Sequence, residues 1–227
     1  MRLPPPIHRW ALTPRQAIAL QKKLRDRVQQ EPLTTAVRLV AGADMAFSPD
    51  GNRCVAGVVI YDLQTKTVIE QAVAWREVRF PYVPGLLSFR EIPAVLAAVR
   101  KLKTAPDVFI FDSQGYSHPR RFGMASHAGV LINWPTIGCA KSRLCGTFDE
   151  PAEHAGATSP LLHEGEIVGS VLRTRAGVKP VYVSVGHRVT LKDAVRVVLQ
   201  CTTRYRVCEP TRLAHLLVTS QRQKPMK

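Results

Sequence analysis

The chemistry in this chain is carried by a few acids placed at the ends of apolar runs. Val108-Phe109-Ile110-Phe111 breaks directly into Asp112, then into Ser113-Gln114-Gly115 and the basic stretch Ser117-His118-Pro119-Arg120-Arg121. Four consecutive apolar residues, bounded by Pro106-Asp107 and by turn residues, fit a strand buried on both faces. Asp112 then stands at the strand's carboxyl end, the edge of an α/β sheet where loops gather ligand-binding groups. Asp44 closes a second run, Leu39-Val40-Ala41-Gly42-Ala43. If the two strands are neighbours, their carboxylates meet at one sheet edge. Glu91 falls in the first turn of a helix led in by Pro84-Gly85, and can enter the same space. Three carboxylates from three elements suit a hard divalent cation, Mg²⁺ or Mn²⁺, which takes oxygen ligands and binds phosphate directly. Each acid also has a plain structural reading. Asp44 and Asp112 suit strand-ending turns, and Ser88-x-x-Glu91 matches a capping box in which the carboxylate satisfies a free backbone N–H. Against these readings, like charges clustered together repel unless a cation offsets them. Lys141 and His215 are ambiguous by themselves, and either suits a reaction at phosphate.

The elements that must position these residues can be read from periodicity. Thr13-Pro14 opens a helical pattern with Ala17, Leu20 and Leu24 on one face, a surface helix within an N-terminal extension spanning residues 1–36. Val37 to Phe47, Cys54 to Leu63 and Thr67 to Val78 are β-rich runs joined by short polar links, an antiparallel meander. Ser88 to Leu102 has helical spacing, and Phe122 to Leu131 predicts another helix before a short strand, Thr136 to Cys139. Leu161 to Leu172, with Glu164-Gly165-Glu166 inside it, and Val181 to Val189 read as strand or hairpin, and Leu191 to Gln200 as helix. The order predicts one mixed α/β domain over residues 1–227.

Composition narrows the partners. In 227 residues, 32 Lys and Arg stand against 17 acids, a formal charge of +15 and a pI near 10.2. That balance favours a polyanion, nucleic acid first, although a generally basic solvated surface gives the same count. Five cysteines, an odd set without C-x-x-C spacing, argue against a disulfide framework and a zinc ribbon. No apolar run approaches the ~20 residues of a membrane span, and no signal-peptide core opens the chain. The expectation is a soluble cytoplasmic monomer without a membrane partner.

Six motifs then fall in a particular order. Gly42-Ala43-Asp44-Met45-Ala46-Phe47 comes first, and Pro81-Tyr82-Val83-Pro84-Gly85-Leu86-Leu87-Ser88-Phe89-Arg90-Glu91 second. Ser117-His118-Pro119-Arg120-Arg121, Ala125-Ser126-His127, Pro135-Thr136-Ile137-Gly138 and Glu209-Pro210-Thr211-Arg212 follow. Together they resemble the endonuclease V family, over nearly the whole chain after residue 36. The resemblance implies an RNase H-like mixed sheet, its first three strands antiparallel, flanked by helices. It also implies a DNA repair enzyme that flips out deoxyinosine and, with Mg²⁺, hydrolyses the second phosphodiester bond 3′ to it.

Carried onto these residues, the resemblance makes Asp44 and Asp112 metal ligands, with Glu91 ligating directly or through water. His215 would orient the metal or its water, and Lys141 would stabilise phosphate charge or position the nucleophile. Pro81-Tyr82-Val83-Pro84 would be a wedge, its prolines stiffening the loop so that Tyr82 stacks where the base has left. Leu87, Gly115, Gly138 and Leu144 would line the base pocket, the glycines letting backbone approach the base, while His118, Arg120 and Arg121 would face phosphates. One position departs from the family pattern. Ser113 follows Asp112 where the family usually has glycine, so strain or a narrower pocket is expected there if the backbone needs positive φ or close base contact. Two other activities remain: an inosine-specific ribonuclease acting on single-stranded RNA, and a basic protein that binds damage without cutting.

Overall fold

The three β-rich runs fold back on one another as their short polar links require. In the computed structural model, which describes residues 1–222, β1 (Leu39–Phe47), β2 (Arg53–Asp62) and β3 (Thr67–Glu77) form the antiparallel meander. The apolar run at 108 becomes β4 (Val108–Phe111), all of it buried, and pairs parallel with β1. β5 (Thr136–Ala140) pairs parallel with β4. β6 (Thr158–His163), β7 (Glu166–Leu172) and β8 (Val181–His187) extend the sheet antiparallel, giving the order β3-β2-β1-β4-β5-β8-β7-β6. Glu164 and Gly165 turn the β6–β7 hairpin with φ of 56° and 79°, the left-handed pair that a two-residue hairpin loop needs.

Alternation along β1 and β4 divides the core into two layers. Ala41, Ala43, Phe109 and Phe111 pack with residues of α2 (Leu87–Val99) and α3 (Met124–Ile132), which follow α1 (Pro14–Leu24) in the chain. Val40, Val108 and Ile110 face the other way, where Ala194, Val197 and Val198 of α4 (Leu191–Gln200) close the second layer. On this second side α5 (Glu209–Arg222) lies over β1 and β2. Burying apolar surface on both faces is what makes β2 and β4 read as nearly continuous hydrophobic runs.

Two sequence expectations are corrected here. Ser88 does not cap α2: the helix begins at Leu87, so Ser88 lies inside it and its hydroxyl hydrogen-bonds His127 Nδ1 at 3.0 Å. Glu91 therefore falls beyond the first turn and is free of the capping role. The second correction concerns α1. Capped by Thr13 and Gln16 as a reciprocal box, it buries Ala17, Gln21 and Leu24, so it is part of the packed structure and not only a surface helix. All five cysteines are free thiols, and no described helix is long and apolar enough to cross a membrane.

Candidate active site

The parallel pairing of β1, β4 and β5 ends at one edge of the sheet, where each strand delivers a charged residue. β1 itself runs on to Phe47, so Asp44 lies within the strand and not at its end as the sequence suggested. The last β1–β4 pair is Ala43 with Phe111, so Asp44 and Asp112 are the next residues on adjacent strands. β5 runs beside β4, and Lys141 follows its last residue, Ala140. The Lys141 ammonium is ion-paired with Asp112 Oδ2. His215 arrives from α5, its Nδ1 2.8 Å from Asp44 Oδ2. Glycine makes that last contact available. A Cβ on Gly42 would lie 2.1 Å from the Pro210 carbonyl carbon, so only a residue without a side chain lets the start of α5 press against β1. Two residues along β1 stands Asp44, and just over one turn along α5 from Pro210 stands His215.

The electrostatics tie Glu91 to the same place. Burial pushes the Glu91 carboxyl up to about 8, and the charges of Asp44 and Asp112 push in the same direction against the opposing pull of Arg90. Asp44 is also raised, by burial first, with the His215 hydrogen bond and the Met45 N–H drawing it back and Asp112 adding to the rise. The acids feel one another's field, yet among the described residues no three Asp, Glu, His or Cys side chains stand close enough together to hold a metal ion as they are. The structure shows what occupies the aspartates instead: Lys141 on Asp112 and His215 on Asp44.

The loop between β3 and α2 presents Tyr82 to solvent, 71% exposed, between Pro81 and Pro84, with Val83 half-buried against the cluster of Phe80, Leu86 and Phe89. Its far end is fixed. Gly85, at φ 77°, directs its carbonyl into three hydrogen bonds: from Gln21 Nε2 at 3.0 Å, Arg120 Nη2 at 2.7 Å and His118 Nε2 at 3.1 Å. Gln21 Oε1 in turn accepts from Arg120 Nε at 2.6 Å. Gln21 is invisible to sequence reading because a glutamine on an amphipathic helix carries no chemical signature; its place on the apolar face of α1 is the signal available.

The comparisons with known proteins agree with the six motifs. The family model for Endonuclease V matches residues 22–216. The Endonuclease V of Trichormus variabilis is 51% identical over 215 residues, covering 94% of this chain and 97% of that one. The chain belongs to the Endonuclease V family. It is thus an endonuclease, and the alternative of a non-cleaving binding protein is set aside. The crystal structure of the Endonuclease V from Streptomyces avermitilis superposes with a TM-score of 0.90 at 45% identity, covering 93% of this chain and 94% of that one. That likeness bears out the RNase H-like mixed sheet. The Ciona intestinalis Endonuclease V, 25% identical with a TM-score of 0.80 over 91% of this chain and 96% of that one, was solved in complex with a 24mer DNA containing an inosine followed by a ribo-adenosine.

Several positions that the Endonuclease V resemblance assigns to substrate have partners within the protein. His118 is buried and held down to about 4 by burial and by Arg120 and Arg121, and it hydrogen-bonds the Gly85 carbonyl. Arg120 is half-buried in the same cluster. Arg121 turns inward at φ 56°: its guanidinium binds Glu166 at 2.8 Å, and His163 and Glu164 across the β6–β7 turn. His118 and Arg121 are buried and Arg120 half-buried, and the three brace the loop and the hairpin. The missing side chains of Gly115 and Gly138 are likewise explained internally. A Cβ on Gly115 would lie 2.1 Å from the Val185 carbonyl oxygen, and one on Gly138 2.5 Å from the Gly115 N. Leu87 and Leu144 are exposed, at 37% and 49%. Ser113 escapes the left-handed strain that its place in the motif suggested, since it is not among the residues with positive φ. Its hydroxyl is buried without a hydrogen-bond partner, a condition that costs about 1–3 kcal/mol unless something supplies one.

Proposed function

We propose that this chain is a metal-dependent repair endonuclease that extrudes deoxyinosine and hydrolyses the second phosphodiester bond 3′ to it, leaving a 3′-hydroxyl and a 5′-phosphate. The observation that carries the reading is the edge where Asp44 and Asp112 follow the last paired residues of adjacent parallel strands, with Glu91 raised by burial first and by the charges of both aspartates after it. The donor set fits a hard cation by type, because it is made of carboxylate oxygens. Asp44, Asp112 and Glu91 would hold Mg²⁺, or Mn²⁺ in its place. Such an ion lowers the pKa of water and offsets negative charge building on the scissile phosphate.

The chain's own residues supply the rest. Lys141, ion-paired with Asp112 at this edge, would pair with a phosphate oxygen were that carboxylate to hold a cation. His215 holds the Asp44 carboxylate in one orientation through its 2.8 Å hydrogen bond. Tyr82 enters the duplex where the base has departed, on a loop stiffened by two prolines and anchored at Gly85. Leu87 and Leu144 are exposed apolar surface for a flipped base. The DNA bound to the Ciona relative, with inosine in it, supports this substrate.

The ribo-adenosine next to that inosine favours a second reading, cleavage of inosine-containing RNA. The sugar 3′ to inosine carries the departing 3′-oxygen of the proposed scissile bond, so a 2′-hydroxyl there borders the reaction. Matched DNA and RNA strands, with and without one inosine, in Mg²⁺ or chelator, decide between the readings by the position of the new ends. Metal-dependent cutting at the second bond 3′ to inosine is expected; cutting that ignores inosine, or that persists in chelator, overturns the proposal.

Tyr82→Ala is expected to lower the preference for inosine-containing over plain duplex by about tenfold, within the ~1–3 kcal/mol of one aromatic–base stack. Binding to plain duplex changes little, because phosphate contacts dominate it. Titrations of both duplexes read the difference, and equal losses on the two exclude a wedge.

A further inference from the structure

A groove of about 1140 Å³ separates the N-terminal segment from β3 and α2. Its walls carry Arg9, Arg53, Arg76, Arg79, Arg90 and Arg100. Against these stands one acid, Glu77, bound by Arg79 at 3.0 Å. The half-buried rings of Trp10 and Trp75 also line it, Arg53 lying over Trp75 at 5.4 Å, while Phe80 and Phe89 behind them are buried in the core.

The outer wall is held in place. The N-terminal ammonium bonds the Leu102 carbonyl, His8 Nε2 meets His127 Nε2 at 2.8 Å, and the edge of Trp10 packs on Phe89. This wall lies before residue 22, where the family match begins. The groove borders the candidate active site. Phe80 immediately precedes the Pro81-Tyr82 loop, and Arg90, next to Glu91, lies 4.6 Å over the Phe47 ring at the end of the strand that carries Asp44.

We propose that this groove holds a single-stranded stretch of the nucleic-acid substrate flanking the inosine. The inference rests on the nuclease reading above and adds a second binding surface to it. Guanidiniums match a phosphate backbone, while the half-exposed rings of Trp10 and Trp75 offer surface on which unpaired bases stack without regard to sequence. A duplex hides those base faces, so the occupant that uses both features is a single strand. The excess of arginine over acid, in a chain of formal charge +15, points the same way.

The test compares single strands bearing one inosine: a minimal one of about 6 nucleotides, and others extended by about 10 nucleotides on the 5′ or the 3′ side. Affinities are measured by fluorescence anisotropy in chelator, for the wild type and for Arg9→Ala/Arg76→Ala/Arg100→Ala. All three arginines are exposed, and circular dichroism checks that the fold is kept. Extension on one side is expected to tighten wild-type binding about tenfold or more, and the triple variant to bring that ratio close to one. The salt dependence of long-strand binding should flatten by about 2 in log–log slope, the value for three lost single-strand phosphate contacts. An unchanged ratio and slope in the variant overturn the proposal, as does polyglutamate competing as well as an undamaged single strand, since an acidic peptide has no bases to stack. Failure of this groove is separable from failure of the nuclease reading. A variant that keeps the length ratio while the wild type cuts beside inosine removes the groove alone, and a wild type that shows the ratio but never cuts removes the nuclease reading alone.

Discussion

Replacing Asp112 by alanine should lower metal-dependent cleavage at inosine by at least about 10³-fold, the scale on which removing one member of a catalytic unit acts. Asp112 stands where β4 ends beside β1, one residue beyond the pairing of Ala43 with Phe111. Lesion binding should persist within a few-fold of wild type. Tyr82 and its anchor at Gly85 are untouched, and Lys141 loses the carboxylate that now neutralises it, which leaves a free ammonium for phosphate. Single-turnover cleavage in Mg²⁺ and anisotropy in chelator separate the two quantities. Nicking that continues undiminished in the variant rejects the assignment of Asp112, and a parallel collapse of binding would mean that it serves the fold or the substrate contact instead.

Strands and the sheet edge are legible in the sequence because their signals are local. The apolar run before Asp112 names both β4 and its terminus, the run before Asp44 names β1 but not its end at Phe47, and the polar links between 47 and 67 fix the meander within a residue or two. What the runs do not give is the partner of each charge. That Lys141 sits on Asp112 and His215 on Asp44 depends on β5 lying next to β4 and on α5 lying across Gly42, pairings made between residues far apart in the chain. α5 itself is hidden from periodicity, because Glu209-Pro210-Thr211 at its start reads as a motif and its exposed residues interrupt the apolar stripe. The basic cluster at 118–121 misleads for a related reason. Charge in a sequence suggests solvent, but His118 and Arg121 are buried, and their partners, the Gly85 carbonyl and the β6–β7 turn, come from other parts of the sequence. The glycines at 115 and 138 show the same ambiguity, since a residue lacking a side chain can make room for a ligand or for the protein's own backbone.

Glu91→Gln should make the metal-free protein more stable while making it a poorer nuclease. In the folded chain the Glu91 carboxyl is pushed from its ordinary value of 4.5 up to about 8, by burial first and then by Asp44 and Asp112. Below about pH 4.5 it is protonated both folded and unfolded, and its ionisation then has no bearing on stability. Between about 4.5 and about 8 the folded chain keeps a proton that the unfolded chain has released, so stability falls as pH rises through that window and levels off above it. The slope inside the window is about 1.4 kcal/mol per pH unit for one proton. Glutamine keeps the shape and one oxygen but carries no charge, so this pH-dependent loss disappears and the advantage of the variant grows from about pH 5 to about pH 8. Saturating Mg²⁺ should reverse the order, because a cation bound to the folded state restores the carboxylate's partner and stabilises wild type more than the variant. Cleavage should drop by about 10- to 100-fold, the usual effect of disturbing a group that holds or orients a metal. Urea denaturation in chelator and in Mg²⁺ across that pH range, together with cleavage rates, measures each part. If the wild type in chelator loses no stability across that range relative to the variant, Glu91 is not held toward its neutral form in the folded chain.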